Sequence, residues 1–398
     1  MYDLFLTGLE KDIVKSPNPI YLGDWVGSSS SNTNNQKKPF IEINNHWNDK
    51  EKLFRDHEYL EEIHAKTLLE LSKVLNNIHY CSYSTKFWQT IMDPWLLSYI
   101  AIIFDRWETI NKTYELEYRF KVYAPFEKYE HEISRDCIDY IKIYNSDYWN
   151  HNLFIDIINN QSNQKLFKIK YLNNFPKMNP IHFKKNYFTI ENFKNKLKII
   201  LDKLTLFSEK FLKPPKVYLD LSYVGKSFRR ELNLGLNQNP FYKLFFLLDQ
   251  EINSKKYIFK ENISRIPFIK LGDSNFEKFL TKRISIDIPS FLVEEFSKNL
   301  KLANNFYQPQ LIISDNRHIN NLIFKFWLAI CQENKTCIIL SNHGGSITQS
   351  SLDYMGFEES ISDTFITWTK PILNKHFQLP PFKYYKYKRN KKVNSKKI

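Results

Sequence analysis

One short stretch combines the residue types that acid–base chemistry needs. Ser341-Asn342-His343-Gly344-Gly345-Ser346 follows an apolar run, Thr336 to Leu340, and sets two of the chain's nine glycines side by side. Adjacent glycines permit positive φ and leave backbone N–H groups open to an anion. His343 would project from this loop as a general base or a hydrogen-bond donor. Asn342, Gly344 and Gly345 are then the candidate substrate-binding positions. The competing reading is a tight strand-to-helix turn carrying a satisfied polar histidine. Glu358 and Asp363 flank the start of the next apolar strand, and either carboxylate could stand beside His343 as its partner. A helix-terminal acid and a strand N-cap are the plainer roles for them. Arg229 and Arg230 follow the loop after strand 216–221 and could hold a phosphate or carboxylate, although adjacent arginines on a helix often include a solvated one.

These residues need a frame, and the C-terminal half supplies its pattern. Apolar runs at 216–221, 310–314, 336–340 and 363–368 alternate with a helical segment at 320–333, whose Leu322, Ile323, Phe326 and Ile330 share one face. Continuous apolar runs alternating with helices indicate α/β architecture, a Rossmann-like parallel sheet covered on both faces. Ligands of such sheets bind beyond the carboxyl ends of the strands, where His343 falls. Residues 19–23 read as a further strand that could join this sheet, and 40–43 as another short strand.

The region 46–212 reads as mainly helical. Asn48 with Glu51 resembles a capping box, and Leu53, Leu60, Ile63, Leu68, Leu71 and Leu75 follow at helical spacing to about residue 77. Pro94 suits a first helical position and opens a second, largely apolar helix over 95–110. Tyr114 to Tyr123 alternates as a strand does, and 190–211 has helical spacing. The domain reading is therefore an N-terminal strand and polar loop (1–45), the helical region (46–212), the Rossmann-like domain (213–380) and a basic, disordered tail (381–398).

Composition narrows the function classes. The chain has 398 residues, 42% hydrophobic and 25% charged, which is a folded globular composition. Of the net charge of +14, eight positive charges fall between Lys383 and Ile398 with no acid among them, which leaves +6 for the rest. A nucleic-acid partner is not expected, because the charge is concentrated in one tail and no nucleic-acid motif is visible. The tail permits at most peripheral contact with anionic lipid. Cys81, Cys137, Cys331 and Cys337 form no CxxC pair, which argues against disulfides and zinc and for buried reduced thiols. The expectation is a cytoplasmic protein without metal or cofactor. The strongest apolar run, Leu96 to Phe104, is short of the about 20 residues that span a bilayer.

Trp-centred clusters mark the N-terminal half: His46-Trp47-Asn48-Asp49, Pro94-Trp95-Leu96, Asp105-Arg106-Trp107 and Trp149-Asn150-His151. Trp95, Asp105, Arg106 and Trp107 read as structural, with Asp105 and Arg106 a buried ion pair that fixes helix packing. Tryptophans could alternatively stack on sugar rings.

In this order, the clusters resemble a family of bacterial transferases found in loci for O-antigen, capsule and other surface glycans. The matching stretches are Leu22-Gly23-Asp24-Trp25, His46 to Lys50 with Asp56 and Leu60, and Leu75-Asn76 with His79. They continue through Phe87-Trp88, the Trp95, Trp107 and Trp149 clusters, His343-Gly344-Gly345, Glu358, Ser362-Asp363 and Trp368. The resemblance implies a glycosyltransferase of two Rossmann-like domains, similar to capsule sugar transferases, with a nucleotide-activated sugar and a glycan acceptor as partners. Departures are Asn342 where the family has Gln, Ser346-Ile347-Thr348 where a glycine follows, and Trp368-Thr369-Lys370 in place of Trp-Gly-Trp. Family members also continue beyond this point with a second Rossmann-like domain. The expectation is thus half of a GT-B-like architecture, truncated at its C-terminus and lacking most of the donor-nucleotide domain. Such a chain would be inactive alone or would need a second chain carrying that domain. The rival reading is a non-catalytic glycan- or partner-binding protein.

Overall fold

The computed structural model describes residues 1–28, 41–127, 130–161, 164–176, 214–222, 224, 226–239, 257–259, 263–343 and 354–381. The helical spacing at 190–211, the pair Gly344-Gly345 and the tail beyond residue 381 lie outside the described residues. The chain forms two compact units. The first comprises Met1–Cys81, Trp95–Phe183 and Ser254–Phe296, and the second Ser82–Pro94, Lys184–Asn253 and Ser297–Ile398.

The fold is α/β, with a five-stranded parallel sheet in each unit. In the first unit β1 (Tyr2–Phe5), β2 (Ile20–Tyr21), β3 (Ile41–Glu42), β4 (Phe120–Pro125) and β6 (Phe167–Leu172) run in the order β3-β2-β1-β4-β6. The order reverses between β1 and β4, the switch that places a crevice at the carboxyl ends of such strands. A short antiparallel pair, β5 (His131–Ile133) with β8 (Tyr257–Phe259), completes this unit's strands among the described residues. This sheet is the part of the fold the sequence pattern did not assemble. Residues 19–23 pair with β1 here and take no part in the C-terminal sheet.

In the second unit β7 (Val217–Asp220), β9 (Leu311–Ser314), β10 (Cys337–Ser341), β11 (Thr364–Thr367) and β12 (His376–Gln378) lie side by side in sequence order. Every pairing is parallel, including β9 with β10, as their helical crossover requires. Along β7, β9 and most of β10 burial alternates. Tyr218, Ile312, Ile338 and Leu340 are buried, whereas Val217, Leu311, Ile313 and Ile339 are half-buried and Cys337 is exposed. A sheet wound in one direction by right-handed crossovers gathers those helices on one face. Of the four free cysteines only Cys137 and Cys331 are buried.

Two long helices differ in their starts from the sequence reading. Helix Lys50–Ile78 is capped by Asp49, whose Oδ1 accepts from the N–H groups of Glu51 and Lys52 at 2.9 and 3.2 Å. Asn48 instead ends the short turn His46–Asn48, which Asn45 caps. The second helix runs Thr85–Tyr114, with Pro94 in its interior. Its start signal is Ser84, whose hydroxyl accepts from Phe87 N–H at 3.1 Å. Proline removes one helical hydrogen bond here, and burial of Trp88, Trp95, Tyr99 and Ile103 outweighs that loss. Among the described residues this is the one helix long and apolar enough to cross a membrane, and 78% of its apolar window is buried inside the protein. A helix apolar on all sides is what a buried position requires.

Trp95 is 0% exposed, and its ring lies 4.8 Å from Tyr99 and edge-on to Tyr140. Replacing it leaves a large cavity, so Trp95→Ala is expected to destabilise the protein by about 3–5 kcal/mol. Chemical denaturation of the variant beside the parent measures this, and coincident curves would remove Trp95 as a core anchor.

Candidate active site

The carboxyl ends of the second unit's strands carry a cluster of titratable groups. After β9 the chain turns through Asp315 into helix Arg317–Asn320, which holds His318. After β10 it passes Asn342 and reaches His343. Helix Tyr354–Ile361 brings Glu358 back toward both. Glu358 is 1% exposed, and one of its oxygens, Oε1, receives both imidazoles. His318 Nε2–H donates to it at 2.6 Å and His343 Nε2–H at 3.0 Å. An ionised carboxylate only accepts, so both rings are placed with the proton on Nε2.

The electrostatics follow from this sharing. Burial alone pushes the Glu358 carboxyl up, but the bonds from His318 and His343 outweigh it and hold the group below its ordinary value. The Glu358 bond in turn raises His343 above the usual imidazole range, against partial burial. His318 is fully buried, whereas the His343 side chain is 21% exposed. His343 is therefore the ring a ligand can reach, and His318 secures the carboxylate from behind. On the inner side Ser314 Oγ lies 3.4 Å from His318 Nδ1 and 3.5 Å from Asp220 Oδ2. One hydroxyl proton serves one of these at a time, and both distances mark weak bonds. Asp220 Oδ2 also accepts from Arg317 Nε at 3.0 Å. At the end of β10 the Ser341 hydroxyl is buried and has no hydrogen-bond partner among the described residues, an uncommon state for an inner polar group.

The sequence-derived candidates thus divide. His343 and Glu358 meet, and Asn342 sits just before them, its N–H donating to Ile366 O at 2.8 Å. Asp363 does not join them. It lies at the amino end of the sheet, where its Oδ2 accepts from Ile338 N–H at 2.8 Å and its Oδ1 is 3.6 Å from Lys86 Nζ. Arg229 and Arg230 are on a separate element, helix Lys226–Gly235, half-buried and exposed respectively. Trp95 and Trp107 are buried, and Asp105 pairs with Arg106 and with His46 Nε2. His318, Arg317 and Asp220 were missed. Their signal was available: polar groups follow the apolar runs 310–314 and 216–221 as His343 follows 336–340. Among the described residues no three His, Cys, Asp or Glu side chains are arranged to hold a metal ion.

The shared carboxylate has a pH signature. Glu358's folded pKa is lowered, so its contribution to stability is present above the ordinary carboxyl range and is lost as pH falls through the folded value. His343's is raised, so its contribution is present below the usual imidazole value and is lost as pH rises through the folded one. In Glu358→Gln both rings lose their anion. Histidine NMR titration is expected to show His343 titrating above 6.5 in the parent and lower in the variant. An unmoved midpoint would mean that Glu358 does not set the basicity of His343.

No curated protein and no solved structure matches the chain. A family model described as LIC12162 family transferase matches residues 2–398. That match covers both parallel sheets and the His318–Glu358–His343 cluster, and the chain belongs to the LIC12162 family of transferases.

Proposed function

We propose that this transferase moves a glycosyl group from a nucleotide-activated sugar to a glycan acceptor in the assembly of bacterial surface polysaccharide, of the O-antigen or capsule kind. The observation that carries the reading is the bond from His343 Nε2 to the buried Glu358 carboxylate at the carboxyl end of a parallel sheet. A glycosyl transfer of this type needs a base for the acceptor hydroxyl. The imidazole of His343, backed by Glu358, takes the acceptor's proton. The acceptor oxygen bonds to the anomeric carbon, and the bond to the nucleotide's phosphate oxygen breaks with its electron pair. Glu358 stabilises the imidazolium that forms, and His318 is a positioning residue behind it. Arg317, at the end of the neighbouring strand, is suited to the charge that develops on the leaving phosphate.

The basic segment from Lys383 to Lys397 favours a place at the inner face of the membrane, against anionic lipid.

The test is release of nucleotide from a panel of nucleotide sugars in the presence of glycan acceptors. His343→Ala is expected to lower kcat by about 10²–10⁴-fold. The base must be neutral to act, so kcat/KM should rise with pH along a limb above 6.5. Full activity in His343→Ala would remove the base from the mechanism. Glycan binding with no turnover of any donor would favour a binding protein instead.

A further inference from the structure

The first unit holds a pocket of about 400 Å³ that the transfer chemistry does not use. Its volume falls within the roughly 300–1,000 Å³ of small-molecule sites. Tyr59, Phe104, Trp107 and Phe276 form its aromatic side. Their rings meet at steep angles: Phe104 and Phe276 at 85° and 5.0 Å, Trp107 and Phe276 at 62° and 5.9 Å, Tyr59 and Phe104 at 52° and 5.9 Å. This is a bowl of ring faces and edges. Such a wall suits a puckered ring that presents C–H bonds to the aromatic quadrupoles.

The other side is a chain of hydrogen-bonding groups, uncharged except for Glu108 at its start. Asn111 Nδ2–H donates to Glu108 Oε1 at 2.7 Å, and Gln161 Nε2–H donates to Asn111 Oδ1 at 2.9 Å. Tyr114 O–H closes the chain onto Gln161 Oε1. Each amide nitrogen carries a second N–H, and each oxygen a second lone pair, so the chain can receive hydroxyls that both donate and accept. Among the described residues none of the lining side chains is cationic. Beside the pocket, Lys52 Nζ is held by Glu108 Oε2 and Asp56 Oδ2, each at 2.7 Å. One ammonium thus serves two carboxylates, so the group keeps a net negative charge that disfavours a phosphate. Ser274 and Asn275 are exposed at the mouth.

We propose that this pocket binds one pyranose ring of a neutral glycan, with a C–H face against Trp107, Phe104 and Phe276 and hydroxyls on Asn111, Gln161 and Glu108. This gives a use to Trp107 of the Asp105-Arg106-Trp107 cluster, and it does not rest on the role of His343.

The full chain is titrated with glucose, galactose and N-acetylglucosamine, followed by tryptophan fluorescence and saturation-transfer NMR, with uridine and inorganic phosphate as comparison probes. At least one hexose is expected to bind saturably. Asn111→Ala should weaken that binding about three- to tenfold, the worth of one neutral hydrogen bond or slightly more. Asn275→Trp, which fills the mouth from the surface, should abolish it with circular dichroism unchanged, and it decides the question should Asn111→Ala fail to fold. No saturable hexose binding to the folded chain would overturn the proposal. So would binding that survives both substitutions at full strength, or binding of uridine or phosphate alone. The assay needs no donor and no turnover, so its outcome is separate from that of the transfer test.

Discussion

A single buried carboxylate organises the second unit's site. Glu358 sits where an unpaired charge would be too costly to keep, and it stays ionised because two imidazoles donate to it. The constraint works in both directions. Without the carboxylate, a fully buried His318 would face an inner wall with no acceptor for its N–H, a loss of about 1–3 kcal/mol for one such group. Without the histidines, the acid would be driven toward its neutral form. The three side chains come from three successive segments after β9 and β10, so their bonds also fix how those segments leave the sheet.

The first unit repeats this solution with other residues. Glu10 is fully buried and accepts from the N–H groups of Leu6 and Thr7 and from His151 Nε2. It ties the turn after β1 to helix Asp147–Asn160. Asp287 is likewise buried, opposed by burial but held at about 2 by Arg283 and His131, with Tyr99 donating to its Oδ2. Arg283 also reaches Asp156 at 2.7 Å. A buried ion pair contributes little net stability, but removing one member is costly. These networks therefore specify which helices meet, while the aromatic core contributes most of the stabilisation.

That division explains the tryptophans. Trp327 is buried and Trp25 and Trp47 are half-buried, and each donates its indole N–H to one acceptor: Tyr307 O, Leu6 O and Asp56 Oδ2 respectively. A ring that is mostly apolar with one directional donor anchors a contact and orients it at the same time. Trp107 differs, since it is both packed against Phe279 and part of the pocket wall.

Local pattern was sufficient for the elements of the second sheet and for two members of its site. Runs such as Thr336 to Leu340 are too short and too continuously apolar to be anything but inner strands, and a His-Gly-Gly turn directly after one points to its carboxyl end. Helix starts were less legible, because Ser84 and Asp49 compete with neighbours of similar capping ability and only the formed helix shows which hydroxyl or carboxylate its N–H groups meet. The first sheet was not assembled although 19–23 and 40–43 read as strands, because β1 and β6, between and beside which the others pair, were not read as strands. β2 pairs with β1 and β3 with β2, across gaps in sequence that no local pattern reports. His318 was hidden for the same reason. It lies 40 residues before Glu358, and nothing local to either reports that distance in space. Sequence by itself determined residue types, periods and the ends of apolar runs. Tertiary structure alone decided which carboxylate would stay charged in the interior, because that depends on which donors the fold brings around it.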